Sequence, residues 1–179
     1  MKYLKSLCWI AASLFACQNL YANAESETLG CASVAEIEIE ARTVLTTAYS
    51  HGEADHLKYG KKNAIGTPLR YGKIRSAAAD WSRFPLGTRF RLVSDPDTLY
   101  VVDDYGSALV GKETIDLYKP TMSSMRKWGM RHVEIEIVKW GCLIESLRIL
   151  KPRATKARHV RRMVWAIQKR INAVGNLNS

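Results

Sequence analysis

Beyond its amino-terminal region, the 179-residue sequence has no uniformly apolar stretch, so nothing there reads as a membrane-spanning helix. Cysteine is scarce. Of four, Cys8 and Cys17 lie in the amino-terminal region, which leaves Cys31 and Cys142 as a single candidate pair. Acids are also few, 17 against 27 Lys and Arg, for a net charge of +10. All 17 acids fall between residues 25 and 150, where 17 of the bases lie too. Two bases precede that region and eight lie between Lys151 and Arg170. The body is therefore neutral and the basic character belongs to the tail, which removes the main argument for a globally nucleic-acid-binding protein.

Lys2 and Lys5 precede an apolar run from Leu7 to Ala16, and "YANAES" places Ala22 and Ala24 as small residues at a cleavage site. This layout predicts a secretory signal peptide cut after Ala24. A competing reading takes "LFAC" as a lipobox that would lipidate Cys17 and tether the protein. In an oxidising compartment Cys31 and Cys142 either pair as a disulfide, tying the start of the domain to its end, or stay as two buried thiols.

Five segments show the alternation of half-buried strands: Glu36 to Leu45, "RFRLV", "DTLYVVDD", "TIDLY" and "HVEIEIVKW". Between Ser50 and Ile74 the chain is polar and broken by Gly52, Gly60, Gly66, Pro68 and Gly72, which predicts a long loop of the kind that builds sites. Short strands divided by Gly and Pro turns point to an all-β barrel or sandwich. A short helix is expected at Ser123 to Trp128, ended by Gly129. After Pro152, Val160, Met163, Val164, Ile167, Ile171 and Val174 recur at helical spacing, predicting an amphipathic helix of about 16 to 20 residues closed by Gly175. Its apolar stripe fits packing on the domain. The alternative is a basic face offered to anionic wall polymer or a membrane surface.

The stretch "DDYGSALVGKETID" admits two chemistries. Gly106, Gly111 and Lys112 fit a phosphate-binding loop, but Glu113 stands where Ser or Thr should hold magnesium, and a strand-like run follows instead of a helix. In "HGEADH", His51, Glu53, Asp55 and His56 crowd a loop without a recognised metal-ligand spacing, so no metal is expected. The carboxylates remain. Asp104 shares a strand face with Tyr100 and Val102, with Asp103 pointing the other way, and Asp116 lies between inward-facing Ile115 and Leu117. Should the two strands bring Asp104 and Asp116 together, their titrations would split and one could stay protonated near neutral pH, the arrangement used in glycoside cleavage. The plainer alternative is that these acids serve turns and solubility.

"TAYS", "GTPLRYGKIRSAAAD", "FPLGT", "VVDDYGSALVG", "TIDLY" and "WGMRHVEIEI" together resemble the three-aspartate 3D domain across residues 44 to 138. That family is a double-psi β-barrel related to membrane-bound lytic transglycosylase A and to stationary-phase and resuscitation-type wall proteins. The resemblance implies a mainly β protein, a six-stranded double-psi β-barrel with a C-terminal amphipathic basic helix. It divides the chain into a signal peptide at 1–24, a lead-in and first strand at 25–43, the barrel domain at 44–140 and a basic helical tail at 141–179.

The resemblance also places the family's aspartates on Asp80, Asp104 and Asp116. It makes Asp116 the general acid and base, with Asp104 tuning it and Asp80 supporting the site, in a scheme that needs no metal or cofactor. Tyr49, Tyr105, Gly106 and Tyr118 are the residues expected to meet substrate. Where the family commonly has Asp-Thr-Gly, Tyr105 replaces the threonine. The function implied is an exported lytic transglycosylase-like enzyme of the periplasm or envelope. It would cleave peptidoglycan strands to 1,6-anhydro products, with glycan strands rather than nucleotide or nucleic acid as partner. The alternative is a non-catalytic peptidoglycan-binding or envelope scaffold protein.

Overall fold

Residues whose side chains alternate between core and solvent wrap into a closed barrel in this computed structural model, which describes residues 40–54 and 56–177. The expected signal peptide, Cys17, Cys31, Asp55 and the start of the first strand lie outside the described residues.

The strands are β1 (Glu40–Tyr49), β2 (Ile74–Ala78), β3 (Arg89–Leu92), β4 (Asp95–Asp104), β5 (Thr114–Tyr118) and β6 (Arg131–Lys139). They close in the order β1-β5-β2-β4-β3-β6. The β1–β5 and β2–β4 pairs are parallel and the rest antiparallel. Five of the six were legible as alternation. The sixth, β2, was not expected: "IRSAA" offers small residues that are buried without an apolar period, since Ser76, Ala77 and Ala78 are all inaccessible. Its insertion between β4 and β5 means that those two strands, consecutive in sequence, are not neighbours.

Val44, Ala77, Phe90, Tyr100, Val102, Ile115, Leu117, Ile135 and Ile137 fill the interior. Phe90 and Tyr100 stack with ring centroids 5.3 Å apart. Such inward-facing residues from all six strands form one contiguous core, as closure requires.

Helix α1 (Met122–Trp128) starts at Thr121 with a capping box, the Thr121 side chain accepting from Ser124 N and Ser124 answering to the Thr121 backbone, and it ends at Gly129. Helix α2 (Leu143–Leu150) lies within the helical tail expected at 141–179, ahead of the helix placed after Pro152. Cys142 caps its start, the sulfur accepting from Glu145 N at 3.4 Å. Cys142 is also disulfide-bonded, to a partner outside the described residues. The chain reaches α2 through Gly141, whose N–H donates to Thr88 Oγ1 at 3.0 Å where it passes the turn before β3.

A turn at Lys151–Arg153 leads to α3 (Arg158–Leu177), 20 residues long. The helix continues past Gly175, because glycine weakens a helix interior by only ~1 kcal/mol and does not force an end. Val160, Met163, Val164 and Ile167 are buried and join the barrel core together with Trp81 and Phe84, so the apolar stripe packs on the domain. Arg158, Arg161, Arg162, Lys169 and Arg170 face outward. Arg170 nonetheless reaches the Ser82 carbonyl, and Arg153 donates to the Ala64 carbonyl at 2.8 Å.

Candidate active site

The pairing of β2 with β4 slips between Ala77 and Ala78: Ala77 opposes Val102, but Ala78 opposes Asp104. Asp103 is the extra residue of a β-bulge, so two successive side chains lie on one side of the sheet. The expectation that Asp103 points away from Asp104 is corrected by this bulge. Asp103 Oδ2 accepts from Ser76 Oγ at 2.8 Å, on the same outer face of β2 as Ala78, and from Arg70 Nη2 at 2.8 Å. Its Oδ1 is buried without a hydrogen bond. These contacts make Asp103 the anchor of the loop that enters β2, since Arg70 N also donates to Ser76 Oγ at 3.0 Å.

Ala78 registers with Asp104 on one side and with Asp116 on the other, and Asp116 registers in turn with Thr47. Paired residues point to the same face, so Thr47, Asp116, Ala78 and Asp104 form one row across four strands. The two acids stand two strand spacings apart, roughly 10 Å at the backbone. Ala78 between them is buried in a small cluster with Tyr49, Leu109 and Tyr118, against which Leu69 packs. Thr47 Oγ1 donates to Asp116 Oδ1 at 2.8 Å. Asp104 Oδ1 accepts from the Tyr105 backbone N–H at 2.9 Å, and its Oδ2 from the Tyr49 hydroxyl at 3.1 Å.

Burial drives the electrostatics. Asp104 is 7% exposed, and loss of hydration pushes its carboxyl up to about 6 even though the Tyr105 and Tyr49 donors and the nearby His56 pull the other way. The Tyr49 hydroxyl is raised well above its ordinary value by burial first, then by the Asp104 and Asp103 charges, with Asp116 adding to them. Tyr49 is thus a neutral donor lying in the field of all three carboxylates. Asp116 is less buried than Asp104 and so more accessible to a large ligand.

Aromatic rings extend this face. Tyr49 lies 5.5 Å from Tyr118 and 5.7 Å from His56 between ring centroids, and Tyr71 meets Tyr118 edge-on at 6.3 Å. Tyr118 OH bonds His51 Nδ1 at 2.7 Å. Sequence analysis identified Tyr49 and Tyr118, weighed His56 only as a metal ligand, and did not single out Thr47 or Tyr71. The Thr47 signal was its place in "TAYS", two residues before Tyr49. No group of three metal-ligating side chains occurs among the described residues.

Asp80 lies elsewhere. It is 1% exposed; Oδ1 accepts from Ser82 N and Oγ at 2.8 and 2.7 Å, and Oδ2 from Gly111 N at 2.6 Å. Its carboxylate joins the turn after β2 to the turn before β5. The Gly111 N–H, which a phosphate loop would aim at its ligand, is spent on that carboxylate. A single short turn at Ser107–Leu109 then leads into strand β5 rather than a helix. Tyr105 is turned toward the tail: its ring meets Trp81 edge-on at 5.1 Å, and its hydroxyl lies 3.4 Å from Arg153 Nη1. The site therefore receives the Tyr105 backbone N–H rather than its ring. Gly106 begins the short turn, with Leu109 beside it.

Asp104→Asn tests the burial of this acid. A carboxyl raised in the folded state binds its proton more tightly there than in the unfolded chain. Its favourable contribution is complete below about pH 4 and is lost as pH rises through about 6. That difference corresponds to at most ~3 kcal/mol. The neutral amide keeps the Tyr105 contact and does not titrate. The variant should gain about 1–2 kcal/mol over the parent at pH 8 and nothing at pH 4. Thermal melts across that range check this; parallel pH dependences for the two proteins would refute it.

Residues 75–139 match the 3D domain family. No curated protein matches the sequence.

Proposed function

From the premise that residues 75–139 form a 3D domain, a family associated with cell-wall lytic transglycosylase-like domains, we propose that the protein cleaves peptidoglycan glycan strands without hydrolysis. The observation that carries this reading is the registration of Asp104 and Asp116 on the same alanine. The closed barrel with its two parallel pairings supports the double-psi arrangement that the resemblance implies.

Asp116, as a carboxylic acid, gives its proton to the glycosidic oxygen between N-acetylmuramic acid and N-acetylglucosamine. The bond from C1 to that oxygen breaks as positive charge develops on the muramyl ring. The muramyl 6-hydroxyl then closes on C1, and its proton returns to Asp116. The products are a 1,6-anhydro end and a free sugar hydroxyl, and no water is consumed. Thr47 fixes the Asp116 carboxyl through Oδ1. Asp104 is a positioning residue: ionised above about pH 6, it adds negative charge to the acid row. Tyr49 holds Asp104 in place and shields it from water. Asp80 supports the site at a distance by joining the two turns that flank β2 and β5.

The disulfide at Cys142 supports an oxidising compartment, and with the amino-terminal export pattern it favours the periplasm or cell envelope. Incubation of the mature protein with purified sacculi should release muropeptides with 1,6-anhydro ends, detected by mass spectrometry as the loss of one water relative to hydrolytic products. Strand binding without such ends would favour a non-catalytic envelope protein.

A further inference from the structure

Lys119 follows the last residue of β5 and is 6% exposed, an unusual location for an ammonium group. Its Nζ lies 4.5 Å from the centroid of Trp128 and 5.9 Å from that of Tyr71. The Arg131 guanidinium lies against the same indole, also at 4.5 Å. No carboxylate pairs with Lys119 among the described residues. These side chains, with Ser124 and Lys127 from α1, line a pocket of about 260 Å³ that contains three cationic side chains and no acid.

The acid whose charge bears on Lys119 is Asp95, which faces Arg75 at 4.0 Å, and Arg75 itself adds to the positive field. Burial first, then that field, weakens the hold of Lys119 on its proton. An indole and a phenol ring offset part of the cost of burying a cation, each at ~1 kcal/mol or somewhat more. They do not remove the repulsion between two cations sharing one ring. A bound anion does, and the pocket has the volume for one.

The pocket also adjoins the acid row. Tyr71, on its wall, touches Tyr118, which touches Tyr49, the partner of Asp104. A strand lying over Asp116 would carry its neighbouring substituents to this wall.

We propose that the pocket around Lys119 is a carboxylate subsite, which reads a free acid group on the glycan strand next to the bond being cleaved. The proposal rests on the functional reading above for the identity of its ligand. Two groups on such a strand supply that chemistry: the muramyl lactyl carboxylate, free once the peptide has been removed, and the carboxylates of the peptide stem.

Calorimetric titration in an Asp116→Asn background keeps the strands intact and separates binding from cleavage. The probes are amidase-stripped strands with free lactyl carboxylates, the same strands after carbodiimide amidation, and strands that retain their stems. The Asp116→Asn protein should prefer a carboxylated probe over the amidated one by tenfold or more, with stripped or stem-bearing strands winning according to which carboxylate is read. Adding Lys119→Met should remove that preference and leave the amidated probe unchanged. Lys127→Ala with Arg131→Ala, both at the exposed rim, should weaken the carboxylated probe severalfold, which guards against a misfolded Lys119 variant.

Equal affinity for carboxylated and amidated strands, no binding of either, or a Lys119→Met loss shared by both overturns the proposal. Lys119-dependent binding without anhydro products from the unsubstituted protein would refute the cleavage reading alone. Anhydro products with a Lys119→Met variant that binds normally would refute the subsite alone.

Discussion

Asp116→Asn should lower the rate of anhydro-end formation by about a thousandfold, within the range that positioned general acids contribute, and leave strand binding within about twofold. The amide preserves an oxygen for the Thr47 hydroxyl, which donates at 2.8 Å, so that contact is kept. What it cannot do is surrender a proton to the leaving oxygen and take one back. Asp104→Asn supplies the contrast. Its carboxyl is nearly inaccessible and acts through its charge, so the variant should retain measurable activity but lose the limb of the pH profile near 6. Residual activity above about a tenth in Asp116→Asn, together with complete loss in Asp104→Asn, would exchange the two roles and make the buried acid the proton donor.

Gly141→Ala should destabilise the fold by ~3 kcal/mol or more, a fall in Tm of about 6–12 °C. A Cβ there would lie 2.3 Å from the carbonyl oxygens of both Pro85 and Leu86 and 2.6 Å from Thr88 N. All three are backbone atoms of the turn into β3, so no flexible side chain can move aside. Relief requires separating the chain after β6 from that turn. This would break the bond from Gly141 N–H to Thr88 Oγ1 and the one from Cys142 N–H to the Leu86 carbonyl at 3.0 Å. Gly72→Ala is the matched control, because nothing lies within 4 Å of its Cβ position, and it should be neutral or slightly stabilising. Melting temperatures for the two variants within about 2 °C of each other would show that the turn yields more readily than its geometry indicates.

Alternation is a property of neighbours in sequence, and it exposed the strands whose inward residues are large: Phe90 and Leu92, Ile115 and Leu117, Ile135 and Ile137. It could not expose β2, whose buried positions are serine and alanine. Nor could it show that β2 would separate the two acid-bearing strands. That arrangement depends on pairings between segments distant in sequence, Ala78 with Asp104 on one side and with Asp116 on the other. Helix α2 was legible in principle: Leu143, Leu147 and Leu150 fall at helical spacing, and Pro152 drew attention beyond them. At the site, Asp104 and Asp116 were recognisable as acids near glycine turns. Their burial, which sets the chemistry of Asp104, depends on Tyr49 and Ala78 from other strands. The ring of Tyr105 was expected at the substrate and lies against Trp81 instead, because the tail helices cover that end of the barrel.

The bulge in β4 makes the aim of Asp104 a matter of parity. Under regular alternation from inward-facing Val102, Asp104 would face the core with it; the extra residue, Asp103, turns Asp104 onto the outer row instead. A single-codon deletion at Asp103 should therefore close the bulge and keep the acid opposite Ala78, while removing the carboxylate that accepts from Ser76 and Arg70. In related sequences an acid one residue after the position of Val102, or two where the bulge is present, would therefore reach the same row.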